Sequence, residues 1–506
     1  MQGKFLKVNK NLGPGGEILM YPSKKNQQSI EDFILPFGGK LNPNNRWVRL
    51  AELIPWEELE EEYASLFSNV GQQAKPFRMA LGALIIKEKC GYTDRETVEQ
   101  ITENPYLQYF IGLKEFQTEP PFDSSLMVHF RKRLNMETIQ RINEQAVLES
   151  DSKEDQDDDD STPPAEQGPK PSDQENCNEQ SSDNKGKLII DGTCAPADIR
   201  YPTDVDLLNE SRGKLETIID TLHEPLIGLQ KKPRTYRKKA RKLYLKVAKM
   251  KKPSKKAIRK AIKQQLGYII RNLKTIEKLL ADERAGTLST KQKQELSVIY
   301  SVYEQQKTMY ERKENRIEDR IVSISQPHVR PIVRGKASGE TEFGAKIVIS
   351  VIDGYTFLEK LGWDNFHEGA TLQESVENYY ARFGSYPQAV IADKIYRTQE
   401  NRQYCKSRGI RLSGPPLGRP GKDHALQKEL ERKDALERNT VEGAIGTSKR
   451  RYGLDKIMAK LQETSETVIA LKLMVQNLDR KLARIFCIFL EAFIFAFQRP
   501  EKGSFA

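Results

Sequence analysis

The sequence predicts an α/β protein, in which a mixed sheet is interrupted by a helical insertion and preceded by an all-α N-terminal unit. Two short apolar runs, in KLIIDGT and QAVIAD, have the length and β-branched content of buried strands. Each run stops at an acid, Asp191 or Asp393. Beyond residue 320 such strands alternate with helical patterns, whereas residues 207 to 320 show helical patterns alone. This alternation is typical of a mixed sheet with helices packed on it.

The distribution of cysteines and apolar residues excludes several classes of protein. The five cysteines lie far apart without a C-x-x-C spacing, which argues against a disulfide framework or a zinc knuckle and suits the cytosol. The start, MQGKFLKVNK, lacks the apolar core of a signal peptide. The apolar run at 485 to 497 contains Glu491 and is shorter than the ~20 residues that cross a bilayer. We therefore expect a cytoplasmic protein without a membrane partner, in which the run at 485 to 497 is a buried helix or strand and residues 486 to 506 form an apolar C-terminal segment.

The charge distribution divides the chain. Its 506 residues suggest roughly three domains of about 150 residues each. The net charge of +11 favours a polyanionic partner. Residues 151 to 186 are acidic and contain no Leu, Ile, Val or aromatic residue, so they cannot bury enough surface to offset chain entropy. We predict an acidic disordered linker there, after a mainly helical N-terminal DNA-binding domain that covers residues 1 to 150.

The N-terminal unit is predicted to end in a basic helix. Thr93 and Glu96 form a capping-box pattern at the start of a helix that Pro105 ends. In FDSSLMVHFRKRLN the apolar positions predict a helix that exposes Arg131 and Arg133. Short helices ending in a basic helix suit docking in the major groove of DNA, so both arginines are candidate DNA contacts. The alternative is the solvated face of an ordinary helical bundle.

Residues 207 to 320 form the predicted basic helical insertion. Its stretch 231 to 274 contains many Lys and Arg and no Asp or Glu, and such a run repels itself unless solvent or a polyanion neutralises it. Phosphate contacts there are independent of base sequence and sensitive to salt, with Lys238, Lys239 and Arg241 as candidates. A solvated helical face is the alternative. The pattern that follows predicts two antiparallel helices separated near Gly286.

The sheet unit covers residues 187 to 206 and 321 to 485. Two β-rich runs flank Asp353-Gly354, a strong hairpin signal that makes Asp353 a turn residue rather than a catalyst. The predicted elements that follow are a helix over 371 to 383, the strand ending at Asp393, a helix over 398 to 408, a strand in IRLSG, and a long helix over 422 to 449.

The two strand-terminal acids suggest a metal site. If the strands carrying Asp191 and Asp393 are neighbours, both carboxylates project from one edge of the sheet. Two close carboxylates repel and raise each other's pKa, and a divalent cation removes that cost. Oxygen ligands without His or Cys nearby favour Mg²⁺ or Mn²⁺.

A third acid is available on the long helix. Arg438, Glu442 and Lys449 occupy relative positions −4, 0 and +7, which at 100° per residue lie within ~40° of one another. Such a stripe is often a solvated, salt-bridged face. Gly443 and Gly446 argue against a merely solvated face. Each glycine costs ~1 kcal/mol inside a helix, which close approach of a sheet or DNA backbone would explain.

These residues carry a resemblance to a known family. The segments LIIDGT, VIADKIY and RNTVEGAIGTSKRRYGLDKIMAKLQETSET, with KPFRMALGALIIKEKCGYTDRETVEQI, resemble bacterial insertion-sequence transposases of the DDE superfamily, which have a ribonuclease-H-like catalytic core. The likeness covers roughly residues 45 to 150 and 187 to 485. Arg438, Glu442 and Lys449 match the R-(3)-E-(6)-K spacing of that family.

The resemblance implies a DNA transposase with two metal ions. Asp191, Asp393 and Glu442 would be the catalytic residues and would hold two Mg²⁺ (or Mn²⁺) ions. Water would cleave a phosphodiester at the element's end, and the freed 3′-OH would then attack target DNA. DNA contacts would come from the same helix, through Arg438, Lys449 and Arg450.

The resemblance also implies partners. The N-terminal helices would read terminal inverted repeats in double-stranded DNA, and joining two ends implies a synaptic homodimer at the nucleoid. Thr193 and Arg212 are weaker candidates for contacts near the site, and His367 with Glu368 could line the edge of the core.

Two positions depart from the family pattern. Ala435 replaces a Tyr three residues before Arg438, and Ile395 replaces the Gly of a Lys-Gly-Tyr sequence after the second acid. Two other functions therefore remain open: an inactive copy that acts as a DNA-binding repressor, and a metal-dependent nuclease without strand transfer. A phosphate-binding loop and a serine-hydrolase elbow do not fit, because GPPLGRPG lacks the Lys-Ser/Thr and no G-x-S-x-G occurs.

Overall fold

The computed structural model covers most of the chain. Its described residues are 29–65, 67, 74–148, 184–333, 341–415 and 424–498. The predicted acidic linker therefore lies outside the described residues as far as residue 183, and the predicted C-terminal segment does so beyond residue 498.

Short helices fill the N-terminal region. They are α1 (Arg46–Glu52), α2 (Trp56–Ser65), α3 (Phe77–Cys90), α4 (Asp94–Glu103), α5 (Pro105–Phe110), α6 (Leu126–Arg133) and α7 (Met136–Leu148). The predicted capping box of Thr93 and Glu96 is confirmed at the start of α4. Pro105 not only ends α4 but is also the first residue of α5. Proline suits the first helical position because the N–H of that residue would have no partner within the helix, so its absence costs nothing.

A single mixed sheet forms the centre of the molecule. Its strands are β1 (Lys187–Pro196), β2 (Arg330–Val333), β3 (Thr341–Ile352), β4 (Tyr355–Gly362), β5 (Ala389–Ala392) and β6 (Arg411–Leu412). The order is β2-β3-β1-β5-β6, and β4 also pairs with β3. Neighbours β4, β3 and β1 are antiparallel, whereas β1, β5 and β6 are parallel.

The hairpin between β3 and β4 is confirmed. Asp353 and Gly354 have φ angles of 49° and 84°, as expected for the two central residues of a type I′ turn. Asp353 is therefore a turn residue, as predicted.

The insertion between β1 and β2 is helical. It contains α8 (Asp204–His223), α9 (Arg237–Ala248), α10 (Lys255–Leu280) and α11 (Thr290–Arg312). The predicted antiparallel pair is confirmed for α10 and α11, because Tyr300 donates its hydroxyl to Glu277 at 2.9 Å while Arg259 reaches the carbonyl of Tyr310 at 2.9 Å. Buried residues of α8, α10 and α11, including Ile269 and Ile299, form a core of their own.

Four further helices complete the sheet unit. They are α12 (Leu372–Phe383), α13 (Gln399–Ser407), α14 (His424–Tyr452) and α15 (Gln462–Gln498). In α15 the backbone continues as helix through the apolar run, but Phe486 is 67% exposed, so the prediction of burial is wrong at that position. Within the described ranges, no helix is long and apolar enough to cross a membrane.

The two faces of the sheet have different covers. On one face, residues such as Ile347 and Ile349 share a continuous apolar core with the N-terminal helices and with α15. On the other face, Ile190 and Val348 pack with residues of α12, including Val376. The N-terminal helices and the sheet are thus built around the same core.

Candidate active site

The register of two parallel strands brings the first two predicted acids together. Ile190 of β1 pairs with Ala392 of β5. Asp191 and Asp393 are the next residues along these strands, which lie ~4.8 Å apart as neighbours in a sheet. The condition set from the sequence, that the two strands are adjacent, is therefore met.

Asp191 is half-buried in the middle of β1. Its carboxylate accepts a hydrogen bond from the Gly192 N–H at 2.8 Å. Burial raises the pKa of Asp191 to about 6, and the nearby charges of Glu368 and Asp393 act in the same direction. The Gly192 N–H and the Arg438 guanidinium oppose the rise. A carboxylate in this position gains strongly from an added cation.

Asp393 lies where β5 ends and a short 3₁₀ helix, Lys394–Tyr396, begins. Its side chain caps that helix by accepting from the Lys394 N–H at 2.7 Å. Ile395 lies within the 3₁₀ helix, is 40% exposed and has no positive φ, so it produces no backbone strain in the turn where the family has Gly. Asp393 is thus held at the carboxyl end of its strand by local backbone geometry.

The helix α14 brings the third acid to the same edge. Asp434 forms two hydrogen bonds with Arg411 of β6, at 2.6 and 2.9 Å, which anchors α14 to the sheet. One turn later, Arg438 donates to Asp393 at 3.1 Å and to Glu442 at 3.1 Å. One guanidinium therefore bridges two of the three predicted acids.

The side-chain oxygens at this edge fit a hard divalent cation, although the three acids are not arranged around one point in this structure. Asp191, Asp393 and Glu442 offer carboxylate oxygens, which suit Mg²⁺ or Mn²⁺. Among the described residues, however, no group of three or more His, Cys, Asp or Glu is arranged to hold a metal ion. Arg438 instead supplies the positive charge between Asp393 and Glu442.

The remaining predicted residues of α14 lie on the same helix at increasing distance from the acids. Lys449 is half-buried and Arg450 is exposed, two turns beyond Glu442. Ala435 is exposed, so the missing Tyr side chain leaves no cavity in the core. Their predicted contacts with DNA stay predictions.

The cations of the insertion and of the N-terminal helix differ. Lys238, Lys239 and Arg241 are exposed on α9, as a phosphate-contacting surface requires. Arg133 is exposed and lies over the Phe67 ring at 4.6 Å. The expectation that Arg131 is exposed is wrong: it is buried and holds both oxygens of Asp94 at 2.9 and 2.7 Å. Because the Arg131 guanidinium donates to this carboxylate, Arg131 links α6 to α4.

Two weaker candidates are also placed. Arg212 lies in the insertion, where it is buried and forms an ion pair with Glu216. Thr193 is buried on β1 two residues from Asp191, and its hydroxyl has no hydrogen-bond partner within the part of the chain that the structure describes.

Glu368, which with His367 was expected to be able to line the edge of the core, lies next to the first acid. Its carboxylate lies directly against Gly192, where an added Cβ would be 2.4 Å from the Glu368 Cδ. Lys346 holds it at 3.1 Å. No local pattern links Glu368 to Gly192, because only the packing of the segment before α12 brings them together; the Asp-Gly pair at 191 and 192 was the available hint.

Comparisons with known proteins add two family matches and one relative. Residues 390–479 match a family model described as a transposase DDE domain, and residues 36–133 match one described as a transposase domain of the DUF772 type. An uncharacterized protein, ORF8 of the nfe locus of Rhizobium meliloti, is 33% identical over 123 residues. That stretch is 24% of this chain and 59% of the relative, so the chain spans less than two thirds of its length. No solved structure matches.

The matches assign a class to two parts of the molecule. The first covers β5, Asp393 and Glu442, and the second covers α1 to α6. The resemblance to insertion-sequence transposases of the DDE superfamily is thereby confirmed.

Proposed function

We propose that this protein is a DNA transposase that cleaves the ends of an insertion sequence and transfers the 3′-OH ends to target DNA. The observation that carries the proposal is the β1–β5 register, which sets Asp191 beside Asp393, together with the Arg438 bridge from Asp393 to Glu442. Three acids that are remote in sequence thus share one edge of the sheet. The matching transposase domain models support the same class of function.

The sheet supports a ribonuclease-H-like core. Three antiparallel strands continue into two parallel ones, with the first acid on the central strand β1. Helices lie on both faces, and α14 carries the third acid to the edge where β5 ends.

Asp191, Asp393 and Glu442 would hold two Mg²⁺ or Mn²⁺ ions. Such ions, when bound, activate the attacking oxygen and neutralise the charge that develops on the phosphodiester. Arg438 then releases the two carboxylates and is free to bind a phosphate oxygen of the substrate. Water attacks the phosphodiester at the element's end, and the 3′-OH so formed attacks the target strand.

The DNA contacts are divided among three regions in this proposal. The N-terminal helices read the terminal inverted repeats, and Arg133 is the exposed candidate there. The insertion holds the sugar-phosphate backbone through Lys238, Lys239 and Arg241. Lys449 and Arg450 position phosphates near the acids. Joining two ends requires two copies in a synaptic complex, at the nucleoid in the cytoplasm.

A DNA-binding repressor is the second candidate function. The Arg438 bridge favours it, because an arginine that keeps two acids paired competes with metal ions for them. A nuclease without strand transfer is the third.

A plasmid assay separates these functions. Purified protein and Mg²⁺ are added to a supercoiled plasmid that carries the DNA flanking the reading frame. Joined product supports the transposase, nicking without joining supports the nuclease, and binding alone supports the repressor.

Substitution of the acids tests the site itself. Asp191→Asn, Asp393→Asn and Glu442→Gln should each lower cleavage by at least ~10³-fold while DNA binding persists, because each removes a charge on which the metal site depends. Asp353→Asn is a matched control. Asn also tolerates the positive φ of that turn. Asp353 is also removed from the acids, because it lies four residues beyond Ile349, the β3 residue that pairs with Asp191. Full activity of Asp393→Asn would show that the second acid is misassigned.

A further inference from the structure

A groove lies between α14 and α15. It is a cleft of about 410 Å³. Its walls combine small residues of α14 with residues of α15, among them Thr440, Gly443, Thr447, Arg451, Arg480 and Ala483. We call this cleft the arginine groove.

The α14 wall of the arginine groove is one face of the helix. Thr440, Gly443, Thr447 and Arg451 are spaced by three, four and four residues, which places them in one row. The row begins at Thr440 and ends eleven residues later, ~16.5 Å along the helix axis at 1.5 Å per residue. That length equals about five base-pair steps of ~3.4 Å. Glu442 lies on the opposite side of α14, ~145° around the helix axis from the row.

None of the described residues lies above Gly443. An added Cβ there would meet none of their atoms within 4 Å. At Gly446 the nearest group is the Arg450 guanidinium, at 3.4 Å. The expectation that a sheet backbone approaches these glycines is therefore wrong, and an external partner is left as the reason for their lack of side chains.

The groove and its continuation are lined by exposed cations. Arg451 and Arg480 lie in the groove itself, and Arg484 lines the adjoining cleft with Arg480. All three are exposed. On the other side of Arg451, a hollow of about 820 Å³ adds Arg46 of α1.

The acid within the groove does not cancel this charge. Asp479 accepts from Lys89, from Arg451 at 3.2 Å and from the Tyr452 hydroxyl at 2.8 Å, and its side chain is 8% exposed. Arg451 remains 67% exposed despite that contact. Asp353 is exposed in the adjoining cleft, where Arg480 and Arg484 lie beside it. Because the arginines outnumber the acids, the surface that an incoming molecule meets carries a net positive charge.

We propose that the arginine groove binds the sugar-phosphate backbone of double-stranded DNA. The arginines neutralise phosphates, which releases counterions, while the small residues at 440, 443 and 447 let the backbone approach the helix closely. The inference rests on the proposed function and deepens it, since it assigns a further surface for the DNA backbone on the side of α14 that faces away from Glu442.

Salt dependence of binding tests the groove. Arg451→Gln, Arg480→Gln and Arg484→Gln are combined, and binding to a short fluorescent duplex of arbitrary sequence is measured in EDTA over a range of KCl concentrations. Each lost phosphate contact lowers the slope of log K against log[KCl] by ~0.9, so we expect a slope smaller by about 2 to 3. The matched control removes three exposed lysines elsewhere, Lys406, Lys428 and Lys460, and should leave the slope unchanged.

The outcomes decide the proposal. An unchanged slope in a triple variant that melts like the wild type overturns it. Tighter binding by the variant also overturns it, because the arginines then hold an acidic segment of the chain and not DNA. Binding that depends on the arginines, without Mg²⁺-dependent cleavage, supports DNA binding in the groove and contradicts the proposed transposase. Cleavage with binding that does not depend on the arginines supports the transposase and contradicts DNA binding in the groove.

Cys487 offers a second measurement that does not depend on folding of the triple variant. Its side chain is exposed and lines the cleft that contains Arg480 and Arg484. A duplex with a disulfide-forming tether on a backbone phosphate should cross-link to Cys487 in the otherwise wild-type chain and not after Cys487→Ser. Absence of any cross-link under conditions where the duplex is bound overturns the proposal.

Discussion

The N-terminal helices and the insertion are both helical units attached to the same sheet, but they are attached in different ways. The N-terminal helices share an apolar core with the sheet and α15. The insertion has a separate core formed by α8, α10 and α11. The comparison indicates that the N-terminal helices and the sheet form one body, whereas the insertion is a module joined to that body at two ends.

Buried polar contacts strengthen the first attachment. Lys472 of α15 donates to Glu88 of α3 at 2.6 Å and to the Tyr452 carbonyl at 2.7 Å. Asn477 bridges Asn143 of α7 and the Thr356 carbonyl of β4 at 2.8 and 2.7 Å. Because buried polar groups need their partners, these contacts fix how the N-terminal helices sit on the sheet.

The two ends of the insertion are held together at its base. Asp204, at the start of α8, accepts from Gln306 at 2.7 Å and from Arg320 at 2.6 Å. Gln326 donates to the Asp198 carbonyl at 3.2 Å. Chain entry and exit thus lie side by side, as a self-contained module requires.

The largest expected effect comes from breaking the buried pair between α3 and α15. Lys472→Met leaves the Glu88 carboxylate, 5% exposed, without its cation and should lower the free energy of unfolding by about 3 to 5 kcal/mol. Urea unfolding measures this, and adding Glu88→Gln should restore part of the loss. In hydrogen exchange, the N-terminal helices and the sheet should lose protection together; loss confined to the N-terminal helices would contradict a shared body.

A cavity in the insertion should have a local effect. Ile269 is fully buried in the core of the insertion, and Ile269→Ala should cost about 2 to 4 kcal/mol there. Hydrogen exchange should show faster opening of α8, α10 and α11 while the sheet keeps its protection. Leu280→Ala, at a position 51% exposed, is the control and should change neither. Equal destabilisation of the sheet by Ile269→Ala would show that the insertion is not a separate unit.

The pH dependence of stability should arise in the body through Asp191. Its pKa is about 6 in the folded protein against 3.8 as the reference, so the folded state holds the extra proton between these values. The contribution of Asp191 to the free energy of unfolding is therefore fully present below about pH 4 and is lost as the pH rises through about 6. Asp191→Asn should gain about 1 to 3 kcal/mol relative to wild type at pH 8 and little at pH 4. Urea unfolding at both pH values measures this, with Asp353→Asn as the control; an equal gain at both would contradict the assignment.

The smallest expected effect on stability comes from the exposed cations of the insertion. The triple substitution of Lys238, Lys239 and Arg241 by Gln should change stability by no more than about 0.5 kcal/mol. It should lower the salt slope of DNA binding by up to about 2.7. Arg131→Gln should do the opposite, losing stability through its buried pair with Asp94 and leaving the slope unchanged. An unaffected slope in the triple variant would remove the insertion from the DNA interface.

Much of the fold could be predicted because its signals are local. The capping box at Thr93, the turn at Asp353-Gly354 and the helix that ends at Gly384 depend on residues within a few positions of one another. The exposure of the cations on α9 could be predicted because no Asp or Glu lies near them in the sequence to pair with them. Arg131 was misassigned because its partner, Asp94, lies on another helix and no local pattern records that pairing.

By itself, the sequence determined most of the segments that form strands and helices, the acid that ends β5, and the family that the chain resembles. Its prediction that the first strand ends at Asp191 is wrong, because β1 stays paired with β3 as far as Pro196. Only the tertiary structure decided that β5 pairs with β1 in the register that sets Asp393 beside Asp191, that Arg438 links the second acid to Glu442, and that the N-terminal helices share the core of the sheet. The physical reason is range: caps and turns act between neighbours along the chain, whereas strand register and burial are settled by the packing of segments that are distant in sequence.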